Sequence, residues 1–287
     1  MLLTETIHKF LQYLSSIERS EETTSGYGKD LKLFTNFLVK KYNRTPNLGE
    51  ITAIDIEEYL FWLKAERNYA PASRSRNLYT LRSIFAYAYK REFIKRNVAL
   101  SVENIKVQQK ERIYLTIEEV HQLVAAIEHD LVRLVVQVLY FSGLRISECL
   151  NLTLNEVNLE QKVIHVVAGK GKKDRLIPIS EKLFPSLENY IKHTRVDTDS
   201  PLFFCTKKTG KLSDVYVNRI LADAARKLGW EKKVTAHILR HSFASHLVKK
   251  NVNLVQIQKL LGHSSLRVTS IYTHSNLEEL SEAINAL

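Results

Sequence analysis

Within the 36 residues from His237 to Tyr272 lie two histidines, an arginine and a tyrosine, His237, Arg240, His263 and Tyr272, whose side chains suit chemistry at a phosphorus centre. Arginine is always charged, and its planar fork of donors matches two oxygens of a phosphate; imidazoles can donate to the same anion or move a proton. A tyrosine hydroxyl, with an ordinary pKa of about 10, attacks poorly at neutral pH unless cations stabilise the developing phenolate and the charge on the attacked phosphorus. A phosphate grip and an oxygen nucleophile therefore imply each other. The His237–His241 spacing would also suit a zinc helix. Against that reading, Ile238 stands where a zinc protease carries glutamate, and the fixed charge of Arg240 would sit beside the cation. No metal is expected.

The spacing predicts the elements that must carry these groups. Thr235 reads as an N-cap, and Leu239, Phe243 and Leu247 recur every four residues, which predicts a helix from 236 to about 249. On it His237, Arg240 and His241 stand at i, i+3 and i+4 and share one face. A second helix, Leu254 to Leu261, is capped by Asn253 and stopped by Gly262, leaving His263 at its exit. A third, short helix capped by Ser264 or Ser265 then presents Tyr272. Upstream, Thr116 and Glu119 form a capping box for a helix with Val120, Leu123, Val124 and Ile127 inward. The run LVRLVVQVLYFSGLRISE is a buried helix ending at Gly143, which puts Arg145 just past the end and Glu148 on the next short helix. Residues 162–179 switch period and read as two strands joined by a Gly-Lys turn, with Lys170, Lys172 and Lys173 at the tip. After Pro185 the chain returns to helices, with a reach-in segment around LFFCTKKTGKLS and a helix from Asp214 to about Leu228.

The first hundred residues read as helices throughout. Ile7, Phe10, Leu11 and Leu14 give one stripe; Leu31, Phe34 and Leu38 give a second after a Thr-Ser-Gly entry. Asp55 caps a helix with Ile56, Tyr59, Leu60 and Leu63 inward, and Pro71 opens another with Leu78, Leu81, Phe85 and Tyr89 on its inner face. A four- or five-helix bundle follows. The polar, aperiodic stretch KVQQKERI holds the linker, set at 108–113, between a helical domain at 1–107 and a second domain at 114–287.

Composition points to a polyanionic partner. Forty-two Lys and Arg face 31 Asp and Glu, a formal charge of +11, and the excess is spread over both domains. Nine basic residues cluster between Lys64 and Arg96 (Lys64, Arg67, Arg74, Arg76, Arg82, Lys90, Arg91, Lys95 and Arg96) against Glu66 and Glu92 alone, which predicts a nucleic-acid-facing side on the third and fourth helices. Cys149 and Cys205 show no pairing pattern and fit a reducing cytoplasm. The N-terminus lacks the pattern of a secretory signal, and no apolar run approaches the roughly 18 residues of a membrane span.

SGLRISE, the GKGKK hairpin, HILRH, LLGH and Tyr272, in that order, together resemble the tyrosine recombinase (phage integrase) family, and the compact length resembles its Xer-type members. The resemblance covers essentially the whole second domain, and the helical first half is similar in kind to the family's core-binding domain. It implies a mainly α fold with a small β-sheet: an N-terminal helical bundle plus a C-terminal α+β catalytic domain. It further implies that Arg145 and Arg240 hold the non-bridging oxygens of the scissile phosphate and that Glu148 positions Arg145. His237 would act as general base and His263 as a donor to phosphate. Lys170 would be the acid that protonates the departing 5′ oxygen, and Tyr272 the nucleophile that forms a 3′-phosphotyrosyl link. Lys172 and Lys173 are read as nonspecific DNA contacts, and His241 and His246 as packing residues.

No cofactor is implied. The implied partners are double-stranded DNA carrying a recombination site and either a tetramer of this chain or a related recombinase. The tail at 276–287, with Leu277, Leu280, Ile284 and Leu287 at helical spacing, would dock in a neighbouring subunit or fold back on its own domain. A type IB topoisomerase, which relaxes one duplex with a similar residue set, and a non-catalytic DNA-binding accessory factor are the alternatives.

Overall fold

The structure is a computed structural model that describes residues 1–108, 113–167, 174–262 and Thr269. The chain divides into two units, Met1–Lys110 and Glu111–Leu287.

In the first unit, helices α1 (Leu3–Ser16), α2 (Glu21–Tyr42), α3 (Ala53–Ala65) and α4 (Pro71–Lys90) enclose a core that includes Phe10, Leu31, Phe34, Ile56, Tyr59, Leu63, Leu81 and Phe85. Pro71 opens α4, where its fixed φ suits a first turn and its missing N–H costs nothing. Three local expectations need correction. α2 begins at Glu21 rather than after the Thr-Ser-Gly stretch, because Ser20 Oγ accepts the Thr23 N–H at 3.2 Å and two acidic residues complement the helix dipole in the first turn. Asp55 is not the cap of α3. Thr52 is, and Asp55 three residues on returns the bond, accepting the Thr52 N–H at 2.7 Å. Tyr89 is 52% exposed, and Ile84 and Ala88 fill the inner positions of α4 instead.

The second unit is mainly helical with a three-stranded antiparallel sheet. Its elements are α5 (Ile117–Ala126), α6 (Asp130–Ser142), α7 (Ile146–Leu150), β1 (Val157–Asn158), β2 (Val163–Val166) and β3 (Arg175–Pro178). They continue as α8 (Phe184–Asn189), which runs on as a π-type turn to Thr194, then α9 (Asp214–Lys227), α10 (Ala236–Lys249) and α11 (Leu254–Leu261). The strand order is β1-β2-β3, with Ile164 opposite Ile177. β1 was not anticipated, since two residues are too short to show a period.

α6 is the axis of this unit. Val132, Val135, Val136, Val138 and Leu139 are all buried on it, and α10 packs along it. It stops at Gly143, whose φ of +63° is left-handed; a Cβ there would also lie 2.4 Å from Phe243 Cδ1, so conformation and space both demand glycine. The capping box on α5 forms as expected, with the Thr116 N–H donating to Glu119 at 2.9 Å. Asn253 Oδ1 accepts the Val255 N–H at 2.8 Å, and Gly262 closes α11 with φ +64°. Thr235 occupies the N-cap position of α10, but the Ala236 N–H goes to Asn218 Oδ1 of α9 at 3.0 Å. Among the described residues no helix is long and apolar enough to cross a membrane.

Candidate active site

α6 and α10 lie side by side, so the end of α6 and the middle of α10 meet where α7 begins. Arg145 is the N-cap residue of α7. Its backbone N–H donates to Glu148 Oε2 at 2.9 Å and its Nη1 to Glu148 Oε1 at 2.7 Å, so one five-residue helix fixes an arginine and its acidic partner together. From α10, Arg240 donates through Nη1 to the Gly143 carbonyl at 2.6 Å and through Nη2 to the Leu261 carbonyl at 2.7 Å. These are carbonyls at two helix ends, which have no partner within their own helices. Its Nη1 also lies 3.9 Å from Glu148 Oε2. Arg145, Glu148 and Arg240, separated by up to 95 positions in the chain, are thus brought together.

A third guanidinium completes the set. Arg175, the first residue of β3, donates through Nη2 to Glu148 Oε2 at 2.7 Å and through Nη1 to Oε1 at 3.3 Å, while its Nε donates to the Leu260 carbonyl at 2.8 Å. Sequence reasoning missed it. A signal was present, because Arg175 stands two residues before buried Ile177, and alternation along a strand puts both on one face. A charge on the core face of a strand asks for a buried partner.

The electrostatics follow. Burial pushes the Glu148 carboxyl up, but the hydrogen bonds and charge of Arg175 and the N–H and guanidinium of Arg145 outweigh it and hold the group at about 2. Glu148 is therefore ionised at neutral pH, and three permanent cations share its single negative charge. The side chains of Arg240 and Arg175 are 4% and 8% exposed, Glu148 16%, and Arg145 35%. Among the described residues three guanidinium groups thus face one carboxylate, with Arg145 the most exposed of the three. That arrangement can hold an anion with oxygens a few ångströms apart.

His237 is exposed on the same face of α10, its ring 4.3 Å from that of buried His241 in an edge-on contact. His246 packs instead against Tyr140, whose hydroxyl is 2.9 Å from Nδ1. Lys170, Lys172, Lys173, His263, Tyr272 and the tail at 276–287 lie outside the described residues. Gly262, which precedes His263, and Asp174, which follows Lys173, are described.

In the N-terminal unit the basic residues divide by what they touch. Lys64, Arg67, Lys90 and Arg91 are exposed; Arg67 lies over the Trp62 ring at 5.8 Å and Arg91 over Tyr13 at 5.7 Å. Arg74 is half-buried. Arg76 pairs with buried Asp30 at 2.8 Å. Arg82 donates to the carbonyls of Ala99 and Val102 and to Asn104 Oδ1, pinning the segment after α4 to that helix. Those bonds engage all three guanidinium nitrogens of Arg82, whereas Arg76 uses Nη2 alone and its side chain stays 58% exposed.

Comparison with known proteins agrees over both units. The chain matches the model of the phage integrase family over residues 113–279 and that of the phage integrase N-terminal SAM-like domain over residues 7–92. It is 33% identical to a tyrosine recombinase of Pseudothermotoga lettingae, covering 98% of this chain and 97% of that one. It is 36% identical to tyrosine recombinase XerA of Pyrococcus furiosus, covering 99% and 94%. Its fold is similar to that of the Tn1549 transposon integrase solved in complex with a circular intermediate DNA, with a TM-score of 0.82 at 18% identity and complete coverage of both chains.

Proposed function

The chain belongs to the phage integrase family of tyrosine recombinases, and from that premise we propose how its residues cleave and rejoin DNA. Tyr272 attacks the scissile phosphate in line with the 5′ oxygen. A bond forms between the phenolic oxygen and phosphorus, the bond from phosphorus to the 5′ oxygen breaks, and the product is a 3′-phosphotyrosyl link with a free 5′ hydroxyl. Arg145 and Arg240 bind the non-bridging oxygens and offset the charge that grows in the phosphorane. His237 takes the proton from Tyr272, Lys170 gives one to the departing oxygen, and His263 donates to the phosphate. Glu148 holds Arg145 in place. The ester conserves the energy of the broken bond, so a 5′ hydroxyl from another strand reverses the attack and joins.

One observation carries this reading: three rigidly held guanidinium groups around a single carboxylate, on elements that lead directly into the positions of the lysine, the second histidine and the tyrosine.

DNA is the partner. Both units contribute to DNA binding, with the N-terminal contribution centred on Lys64, Arg67, Arg74, Lys90 and Arg91 and a smaller share from Arg76 and Arg82. Lys172 and Lys173 add backbone contacts from the hairpin tip. Two duplexes are joined by a tetramer of this chain, or with a related recombinase, and the tail beyond Asn276 docks in a neighbouring subunit. The biological outcome is dimer resolution of the Xer type or integration of a mobile element.

The test is covalent capture of the chain on a library of nicked DNA sites. Wild-type protein becomes attached at a preferred sequence, and Tyr272→Phe does not. Attachment by Tyr272→Phe would overturn the assignment of the nucleophile. Relaxation of any supercoiled plasmid without a site requirement would replace recombination with topoisomerase action.

A further inference from the structure

We propose that Arg175 is a positioning residue for strand cleavage: by taking up the negative charge of Glu148 and tying down the end of α11, it leaves Arg145 cationic and aimed at the scissile phosphate. The proposal rests on the reading of Arg145 as a phosphate ligand given above.

The geometry that points to it is a single guanidinium spent in two directions. Its fork meets both oxygens of Glu148, at 2.7 and 3.3 Å, and its Nε meets the Leu260 carbonyl at 2.8 Å. Leu260 and Leu261 are the last residues of α11, where carbonyls need donors from elsewhere. Arg175 serves one and Arg240 the other, so the exit of α11 is held from β3 and from α10 at once. Gly262 fits this clamp. A Cβ there would lie 2.9 Å from Arg175 Nη1 and 3.1 Å from its Cζ, so the glycine lets the guanidinium approach the chain at the turn that leads to His263.

Charge partition supplies the functional consequence. Glu148 Oε1 receives both Arg145 Nη1 and Arg175 Nη1, and Oε2 receives the Arg145 backbone N–H and Arg175 Nη2. With Arg175 in place, Arg145 shares the carboxylate and keeps most of its own charge for an incoming phosphate. Without it, Arg145 would hold the carboxylate with only the more distant Arg240 sharing it, and the phosphate would have to compete with Glu148 for the Arg145 guanidinium. Hydrogen bonds within an arginine–carboxylate pair are strong enough for that competition to matter.

The experiment is single-turnover cleavage of a nicked site by wild type, Arg175→Met and Arg175→Lys. Each is assayed on a normal scissile phosphodiester and on one carrying a neutral methylphosphonate, with DNA affinity measured alongside. Arg175→Met is expected to cleave the phosphodiester about 10- to 100-fold more slowly, the range for groups that orient a reacting group's ligands. DNA affinity should change by no more than about threefold, since the loss falls on the transition state. On methylphosphonate, which has one charge fewer to offset, the deficit should shrink to about threefold or less. Arg175→Lys keeps the charge without the fork and should lie between. If Arg175→Met does not fold, the Arg175→Lys deficit must show the same shrinkage. An equal deficit on both substrates, no deficit, or a loss confined to affinity would each overturn the proposal. Failure of wild type to cleave the phosphodiester would instead overturn the reading of the site on which it rests.

Discussion

Each unit of the chain buries carboxylates against cations, and the two units differ in the balance between them. In the N-terminal unit Asp55 accepts from Lys41 at 2.6 Å, from Tyr42 at 2.9 Å and from its own capping partner Thr52, and Lys41 is shared with Glu58. Asp30 accepts from Arg76 and from buried Thr80. Acid at least matches base in both sets. In the second unit, among the described residues, one carboxylate, Glu148, faces three guanidinium groups, those of Arg145, Arg175 and Arg240. The first arrangement holds helices together. The second gathers guanidinium groups around one carboxylate, as the proposed phosphate grip requires.

The largest expected effect is on the cation-rich side. Arg240→Lys keeps the charge but cannot reach Gly143 and Leu261 with one fork, so single-turnover cleavage should fall by about 100- to 1000-fold. The same activity in both proteins would make Arg240 a helix clamp only. On the balanced side, Asp55→Ala should lower the unfolding free energy by about 2 kcal/mol, through the lost reciprocal bond of the capping box and the stranded Lys41 and Tyr42 donors. Chemical denaturation measures that loss, and cleavage by the folded fraction should stay unchanged. A drop in the chemical step would blur the division of labour.

Acid titration gives Glu148 and Asp30 opposite signs. Glu148 is held at about 2 in the folded chain against an ordinary 4.5, so its contribution to stability is present above pH 4.5 and is lost as pH falls toward 2. Glu148→Gln should therefore flatten the acid limb of the melting profile. Burial raises the Asp30 carboxyl above its ordinary 3.8, with Thr80 and Arg76 pulling the other way. Its folded form favours the proton, so that contribution is present below pH 3.8 and is lost as pH rises. Asp30→Asn should accordingly change stability at neutral pH least of all, by about 1 kcal/mol or less. A larger loss would mean that the Arg76 pair is worth more than its burial costs.

How far these regions could be read in advance differs for the same physical reason. The capping box at Thr116, the glycine stops at 143 and 262, and the face shared by His237 and Arg240 are local facts of spacing, and local facts survive folding. The mainly helical fold with a small sheet was legible because long periodic runs dominate both units. Arg175 was not, because its partners stand 27 and 85 positions away and only the closed sheet and the end of α11 bring them into reach. Asn218 serves the first α10 N–H through a tertiary contact between α9 and α10, while the Thr235 side chain makes no capping bond, and propensity has no term for that. The basic run from Lys64 to Arg96 looked uniform as a string of charges. In the fold, Arg82 is drawn to the segment at 99–104 and Arg76 pairs with Asp30 while staying exposed, as Lys64, Arg67, Lys90 and Arg91 do.

The claim at the centre is that the guanidinium groups around Glu148 exist to hold one DNA phosphate. A crystal structure of the Tyr272→Phe chain on its preferred DNA site tests it most directly. Nη atoms of both Arg145 and Arg240 should lie within about 3 Å of non-bridging oxygens of the same phosphate, with the ring of residue 272 facing it opposite the 5′ oxygen. A scissile phosphate bound elsewhere, with Arg145 still closed on Glu148, would contradict the account.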